Sequence, residues 1–177
     1  PLAILYSSGT TGKPKCICHG TGGVLLQHNK ELQIHSDVKK NDRVFYFTTC
    51  GWMMWNWLVS SLAVGATLVL YDGNPFYPRN DSLLEIADSI GLSIFGTSAK
   101  YISFLEQNNI IPNKYSFKKL RLILSTGSPL IEENYDFVYD KWKHDVQLCS
   151  ISGGTDIISC FALGNPIKPV VKGKLQS

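Results

Sequence analysis

The densest concentration of reactive groups in the sequence is "YSSGTTGKPK", residues 6–15. Gly9 and Gly12 allow backbone angles that other residues resist, so successive peptide N–H groups can converge on one point. Ser7, Ser8, Thr10 and Thr11 add hydroxyl donors, and Lys13 and Lys15 add positive charge. Converging N–H groups, hydroxyls and ammonium groups suit a polyphosphate. The spacing is not that of the common phosphate loop, because only Thr10 and Thr11 separate Gly9 from Gly12 where four residues are needed. The three-glycine dinucleotide fingerprint is absent as well. On residue types alone, a polar surface turn marked by glycine and proline accounts for the stretch equally well.

Two further segments have similar chemistry. "STGSP" (125–129) and "SGGT" (152–155) combine glycines with hydroxyls, and Asp156 follows the second. A turn or cap carboxylate is the plain reading of Asp156. Taken singly, each glycine-rich segment is an ordinary turn.

The elements around these segments give them a common address. "LAILY" (2–6), "RVFYFTT" (43–49), "ATLVLYD" (66–72), "LSIFG" (92–96), "LRLILS" (120–125), "DVQLCSI" (145–151) and "ISCFALG" (158–164) read as strands. Between them, residues 23–37, 53–65, 81–91, 98–109 and 130–142 read as helices. The first of these helices is loosely patterned, with apolar positions at Val24, Leu25, Leu32 and Ile34. Asp81 and Ser98 stand at N-cap positions, and Gly65 and Gly91 close their helices. Strand and helix alternate at the spacing of βαβ units. The expected fold is α/β, a mainly parallel sheet flanked by helices. Such sheets bind ligands at the carboxyl ends of their strands, and right-handed crossovers bring the three glycine-rich loops to one edge.

Composition narrows the function classes. The 177 residues are 44% hydrophobic and 18% charged, which suits a globular domain with a sizeable core. A net charge of +3 with scattered lysines argues against nucleic acid as a partner. Five cysteines without zinc spacing point to reduced thiols and a cytoplasmic setting. No basic region precedes the first apolar stretch, so no signal peptide is expected. "WMMWNWLVSSLAVGATLVLY" (52–71) is long enough to span a membrane, but Asn56, Ser60, Ser61 and Gly65 interrupt it. A buried helix followed by a buried strand explains it, and no membrane partner is expected.

"YSSGTTGKPK" resembles the signature loop of the adenylate-forming superfamily, which includes acyl-CoA synthetases. "TTCGWMMWNW", "ILSTGSPL" and "SISGGTDIISCF" together resemble its acetoacetyl-CoA synthetase subfamily. The resemblance covers the whole chain. It implies a ligase that activates acetoacetate with ATP, Mg2+ and coenzyme A through an acyl-adenylate, releasing pyrophosphate and AMP. In that family Ser7, Ser8, Gly9, Thr10, Thr11, Gly12, Lys13 and Lys15 would hold the ATP phosphates. Lys13 and Thr155 would be catalytic, Thr155 meeting the α-phosphate, and Asp156 would bind the metal. Gly127, Ser128, Pro129, Ser152, Gly153 and Gly154 would line the nucleotide. Trp52, Met53, Met54, Thr126 and Gly153 would form the acyl pocket, although plain helix core also explains Trp52, Met53 and Met54.

There are departures from the family pattern. Asp156 stands where most members have glutamate, and Ser152 replaces an aromatic residue. Gly153 replaces a tryptophan that shortens the pocket of acetate-activating relatives, which implies room for a longer acid. His19 follows the loop without an assigned role. The resemblance also implies that this chain is a piece of the large N-terminal domain. An N-terminal region and a C-terminal lid domain with the adenylation lysine are expected elsewhere, so the piece alone is expected to be inactive. The alternatives are another short-chain acyl-CoA synthetase, acting on acetate or propionate, or a non-catalytic nucleotide-binding module.

Overall fold

The computed structural model describes residues 1–7 and 12–177. Its centre is a parallel five-stranded sheet. The strands are β3 (Arg43–Tyr46), β4 (Thr67–Val69), β5 (Ile94–Ser98), β6 (Leu122–Thr126) and β7 (Gln147–Ser150), in the order β4-β3-β5-β6-β7. The chain steps from β3 outward to β4, then returns to the other side of β3 for β5, β6 and β7. The strand order therefore reverses between β3 and β5.

Both faces of the sheet are covered, as an all-parallel sheet requires. Alternate residues along each strand feed two cores. Phe45, Phe95, Ile123 and Leu148 pack with α3 (Ser82–Ser89), α4 (Ala99–Gln107) and α5 (Glu132–Phe137). Val44, Ile94, Leu122 and Leu124 pack on the other face with α1 (Thr21–Lys30) and α2 (Met53–Ser60). These are the helices and the sheet the sequence implies, with ends shifted by a few residues.

Two hairpins stand apart from the sheet, and here the expectation needs correction. β1 (Ala3–Ser7) and β2 (Lys15–His19) form an antiparallel pair of their own. β8 (Ser152–Gly154) and β9 (Ser159–Ala162) form another. "LAILY" and "ISCFALG" are therefore not parallel strands, and the "SGGT" segment is mostly strand. Neither connection is long enough for a crossover, so antiparallel pairing is the available geometry.

Smaller corrections concern helices. α1 buries Val24 and His28, and the π-helical turn that continues it buries Glu31 and Leu32, whereas Leu25 is 38% and Ile34 is 64% exposed. The buried stripe runs through polar residues that an apolar-only pattern misses. Ser98 caps α4 as expected, its Oγ accepting from the Tyr101 N–H at 3.3 Å. Asp81 sits at the start of α3 but makes no side-chain cap. Its carboxylate is bound instead by Lys114, Tyr115 and Arg79. Lys114 foremost holds the Asp81 carboxyl well below the usual carboxylate range. Among the described residues no helix is long and apolar enough to cross a membrane.

Candidate active site

A cavity of about 440 Å³ opens at the carboxyl ends of β6 and β7. Trp52, Met53 and Met54, at the start of α2, form one wall. Thr126, the last residue of β6, and Gly127, Ser128 and Pro129 after it form the next. Ser152, Gly153, Gly154 and Thr155 close it from the β8 hairpin. One space thus gathers both the segment the resemblance assigns to adenine and the segment it assigns to the acyl group.

Local sequence explains the walls. Trp52 immediately precedes α2, so Met53 and Met54 occupy its first turn and are buried toward the sheet. Tyr46, at the end of β3, meets both Trp52 and Trp57 edge-on, with ring centroids 6.1 Å away in each case. Gly96 on the neighbouring strand makes this possible, since a Cβ there would lie 2.1 Å from the Tyr46 ring. The Tyr46 hydroxyl donates to the Thr97 carbonyl, and burial raises its pKa well above the ordinary tyrosine value.

Gly153 lines the cavity with its backbone. An added Cβ would lie 2.5 Å from the Ser159 carbonyl oxygen, in the partner strand. The glycine permits close pairing with β9. A Cβ at 153 would strike β9, so strand pairing is a reason for glycine here beside the pocket volume the resemblance implies.

Thr126 is buried, and its hydroxyl donates to the Ile151 carbonyl at 3.0 Å. Its one proton is committed there and is not free for a bound acid. Sequence reasoning also overlooked Leu130, Ser150, Ile151, Cys160 and Leu175 in the lining. Cys160 becomes predictable only once β9 is known to pair with β8. Burial pushes its thiol up, with Glu31 adding to the effect, so it forms a neutral wall. Cys149 beneath it is likewise pushed up by burial, to about 12.

The phosphate-loop residues are placed differently. Ser8, Gly9, Thr10 and Thr11 lie outside the described residues. Ser7 pairs with Lys15 where β1 and β2 meet the loop. Gly12, Lys13 and Lys15 are exposed and do not line the cavity. The base of this hairpin is tied to the site by His19, whose Nε2 meets the Thr155 carbonyl oxygen at 3.1 Å. That oxygen only accepts, so Nε2 carries the proton.

Asp156 is exposed in the turn directly after Thr155. Among the described residues no three His, Cys, Asp or Glu side chains are grouped for a metal. A lone carboxylate beside a phosphate site still fits magnesium, which takes few protein ligands and completes its shell with phosphate oxygens and water.

The family model described as AMP-binding enzyme matches residues 1–174. The chain is 58% identical over 177 residues to acetoacetyl-coenzyme A synthetase of Rhizobium meliloti (strain 1021), covering 99% of this chain and 27% of that protein. It is 52% identical over 178 residues to acetoacetyl-CoA synthetase of Danio rerio, covering 100% of this chain and 26% of that protein. Among solved structures it is similar to acetoacetyl-CoA synthetase from Streptomyces lividans, with a TM-score of 0.93 and 43% identity over 98% of this chain and 28% of that one. The chain thus spans about a quarter of the length of the curated relatives it matches. The subfamily resemblance carried by "GWMMWNW" and "SGGTD" is borne out, and the chain belongs to the AMP-binding enzyme family.

Proposed function

We propose that this chain is the nucleotide- and acid-binding part of the large domain of an acetoacetyl-CoA synthetase. The observation that carries the reading is the single cavity where Trp52–Met54, Thr126–Pro129 and Ser152–Thr155 meet. An acid and the α-phosphate of ATP held there would be neighbours, which turns a bimolecular attack into an intramolecular one.

In this reading a carboxylate oxygen of acetoacetate attacks the α-phosphorus of ATP, and pyrophosphate departs. Coenzyme A then attacks the acyl carbon through its thiol, and AMP departs. Carboxylate and triphosphate repel each other, so positive charge and N–H donors around the phosphates lower the barrier. Lys13 and Lys15, with the rest of residues 7–15, supply these. Thr155 meets the α-phosphate, and Asp156 holds magnesium, which neutralises phosphate charge when bound. Gly127–Pro129 face the nucleotide base. Trp52, Met53, Met54 and Thr126 enclose the acid. The partners are therefore small molecules, and a cytoplasmic, reducing setting fits the five unpaired cysteines.

The test is pyrophosphate–ATP isotope exchange by the longer parent enzyme, with acetate, propionate, butyrate and acetoacetate compared. Exchange driven best by acetoacetate is expected. Exchange driven best by acetate or propionate would move the assignment to another short-chain synthetase, and none with any acid would leave only a nucleotide-binding module. The 177-residue chain alone is expected to form no AMP with acetoacetate, because it covers only about a quarter of its relatives.

A further inference from the structure

Beneath the cavity lies a buried polar hub that the reaction itself does not use. Glu31, in the π-helical turn that extends α1 (Glu31–His35), is 1% exposed. Its Oε2 accepts from the Trp57 indole N–H at 3.0 Å. Its Oε1 accepts from the Cys160 backbone N–H at 2.9 Å and the Gln27 amide at 2.9 Å. Oε1 also accepts from the Ser159 hydroxyl, which in turn accepts from Gln27. Four neutral donors converge on one carboxylate, as an anion buried without a counter-charge requires.

Two of the elements that supply donors, α2 and β9, also supply walls of the cavity. Trp57 follows Met53 by four residues, so its indole lies on the same side of α2 as that wall residue. Cys160 is the register partner of Gly153 and itself lines the cavity. Glu31 is not among the residues that line the cavity. We propose that Glu31 is the positioning residue that sets the distance between the Met53–Met54 wall and the Gly153–Cys160 wall, and thereby the fit of the acid.

This proposal rests on the reading of the cavity as the acid site. In Glu31→Gln the volume is kept, but the amide nitrogen must face at least one of the four donors. The walls then lose a shared acceptor, and the acid is held less well while the phosphate groups are untouched. In the parent enzyme Glu31→Gln is expected to raise the KM for the preferred acid about tenfold, with the KM for ATP within about twofold of wild type. Discrimination between acids one or two carbons apart should shrink in the same variant. Trp57→Phe removes one donor only and should move acid KM the same way by about threefold, with the double variant less than additive. If Glu31→Gln fails to fold, Trp57→Phe and Ser159→Ala carry the same readout.

A fall in thermal stability and kcat with unchanged acid KM and selectivity would overturn the proposal, since that is what a purely structural hub gives. The two ideas fail differently. A wild type without acid-dependent exchange would break the cavity assignment, and the proposal with it. A wild type with such exchange whose acid KM stays fixed in both variants would break the proposal alone.

Discussion

The two halves of the candidate site are built by opposite means. The acid side is enclosed: Met53 and Met54 are buried, Tyr46 braces Trp52 and Trp57, and Glu31 ties α2 to β9. The side proposed for phosphate is carried by the paired strands β1 and β2. Lys13 and Lys15 are exposed, and the His19–Thr155 contact links the base of this pair to the cavity. Apolar discrimination needs fixed walls, because a methylene is worth only about 1–3 kcal/mol even in a well-formed pocket. Phosphate recognition rests on charge, which acts over a longer range and tolerates looser placement. Substitutions on the two sides should therefore fail differently, acid selectivity on one and ATP use on the other.

The largest separation is expected from Lys13→Ala in the parent enzyme. Its side chain is exposed, so stability should shift by no more than about 0.5 kcal/mol. The KM for ATP should rise by about tenfold or more, while the acid KM stays nearly constant. Asp156→Ala should act on the same side and raise the magnesium concentration needed for half-maximal rate. Initial rates at limiting ATP and at limiting magnesium check both. Wild-type kinetics in both variants would remove these residues from the site.

Next in size is a pair of glycines on the enclosed side. Gly153→Ala places a methyl 2.5 Å from the Ser159 carbonyl, so β8 and β9 must separate. The expected cost is about 1–3 kcal/mol, with poorer use of every acid. Gly154→Ala meets only the Phe161 ring, at 3.6 Å, and should cost far less. Urea midpoints and acid specificity constants of the two variants decide the matter. Equal tolerance at both positions would show that the hairpin yields easily. Acetate gaining at acetoacetate's expense in Gly153→Ala would favour the volume argument.

How far the sequence carries this reading differs between the two sides. The parallel sheet was legible because strand-like runs alternate with helices at βαβ spacing. The glycine-rich segment 125–129 was legible as a loop at the carboxyl end of a strand, where such a sheet binds its ligand, whereas residues 52–54 were assigned only through the family resemblance. The two hairpins were not, since a short apolar run does not reveal which strand it pairs with. That ambiguity hid Cys160 and the pairing of Gly153 with β9. The Glu31 hub was hidden for another reason. Val24, His28 and Glu31 share one helical face at intervals of four and three residues, but only Val24 is apolar. A buried polar stripe leaves no hydrophobic period to find.

A smaller effect is expected at Thr126. With its proton given to Ile151, the hydroxyl cannot donate to the 3-keto oxygen of acetoacetate. Thr126→Val keeps the shape and leaves the Ile151 carbonyl unpaired, at a cost of about 1 kcal/mol in stability. The ratio of specificity constants for acetoacetate and butyrate should change by less than about threefold, far below the loss of a required hydrogen bond. A collapse of that ratio would mean that Thr126 turns its hydroxyl to the substrate on binding.

The finest test of the enclosed side is its response to pH, through His28. This residue is fully buried on α1, beside Glu31. Its Nε2 lies 2.6 Å from the Ile158 carbonyl, and its Nδ1 lies 2.7 Å from the Ser60 hydroxyl. The carbonyl can only accept, so Nε2 carries the proton; the single Ser60 proton has two acceptors in reach, the Asn56 carbonyl at 2.9 Å and Nδ1, and a neutral ring takes it at Nδ1. Burial lowers the pKa of His28 from the ordinary 6.5, outweighing the Ile158 contact and the Glu31 charge that would raise it. Well above 6.5 the ring is neutral both folded and unfolded, so its contribution to stability is constant there. As pH falls below that value the unfolded chain takes up a proton that the folded chain refuses, and stability is lost until the folded pKa is passed. The slope from this one group is at most about 1.4 kcal/mol per pH unit. His28→Gln removes the titration, so the stability gap between wild type and variant should be flat above about pH 7 and narrow below about pH 6. Urea midpoints of both proteins across that range measure it. A gap that widens toward acid would mean that His28 is charged when folded, paired with Glu31, and the hub would then be an ion pair rather than a carboxylate held by neutral donors.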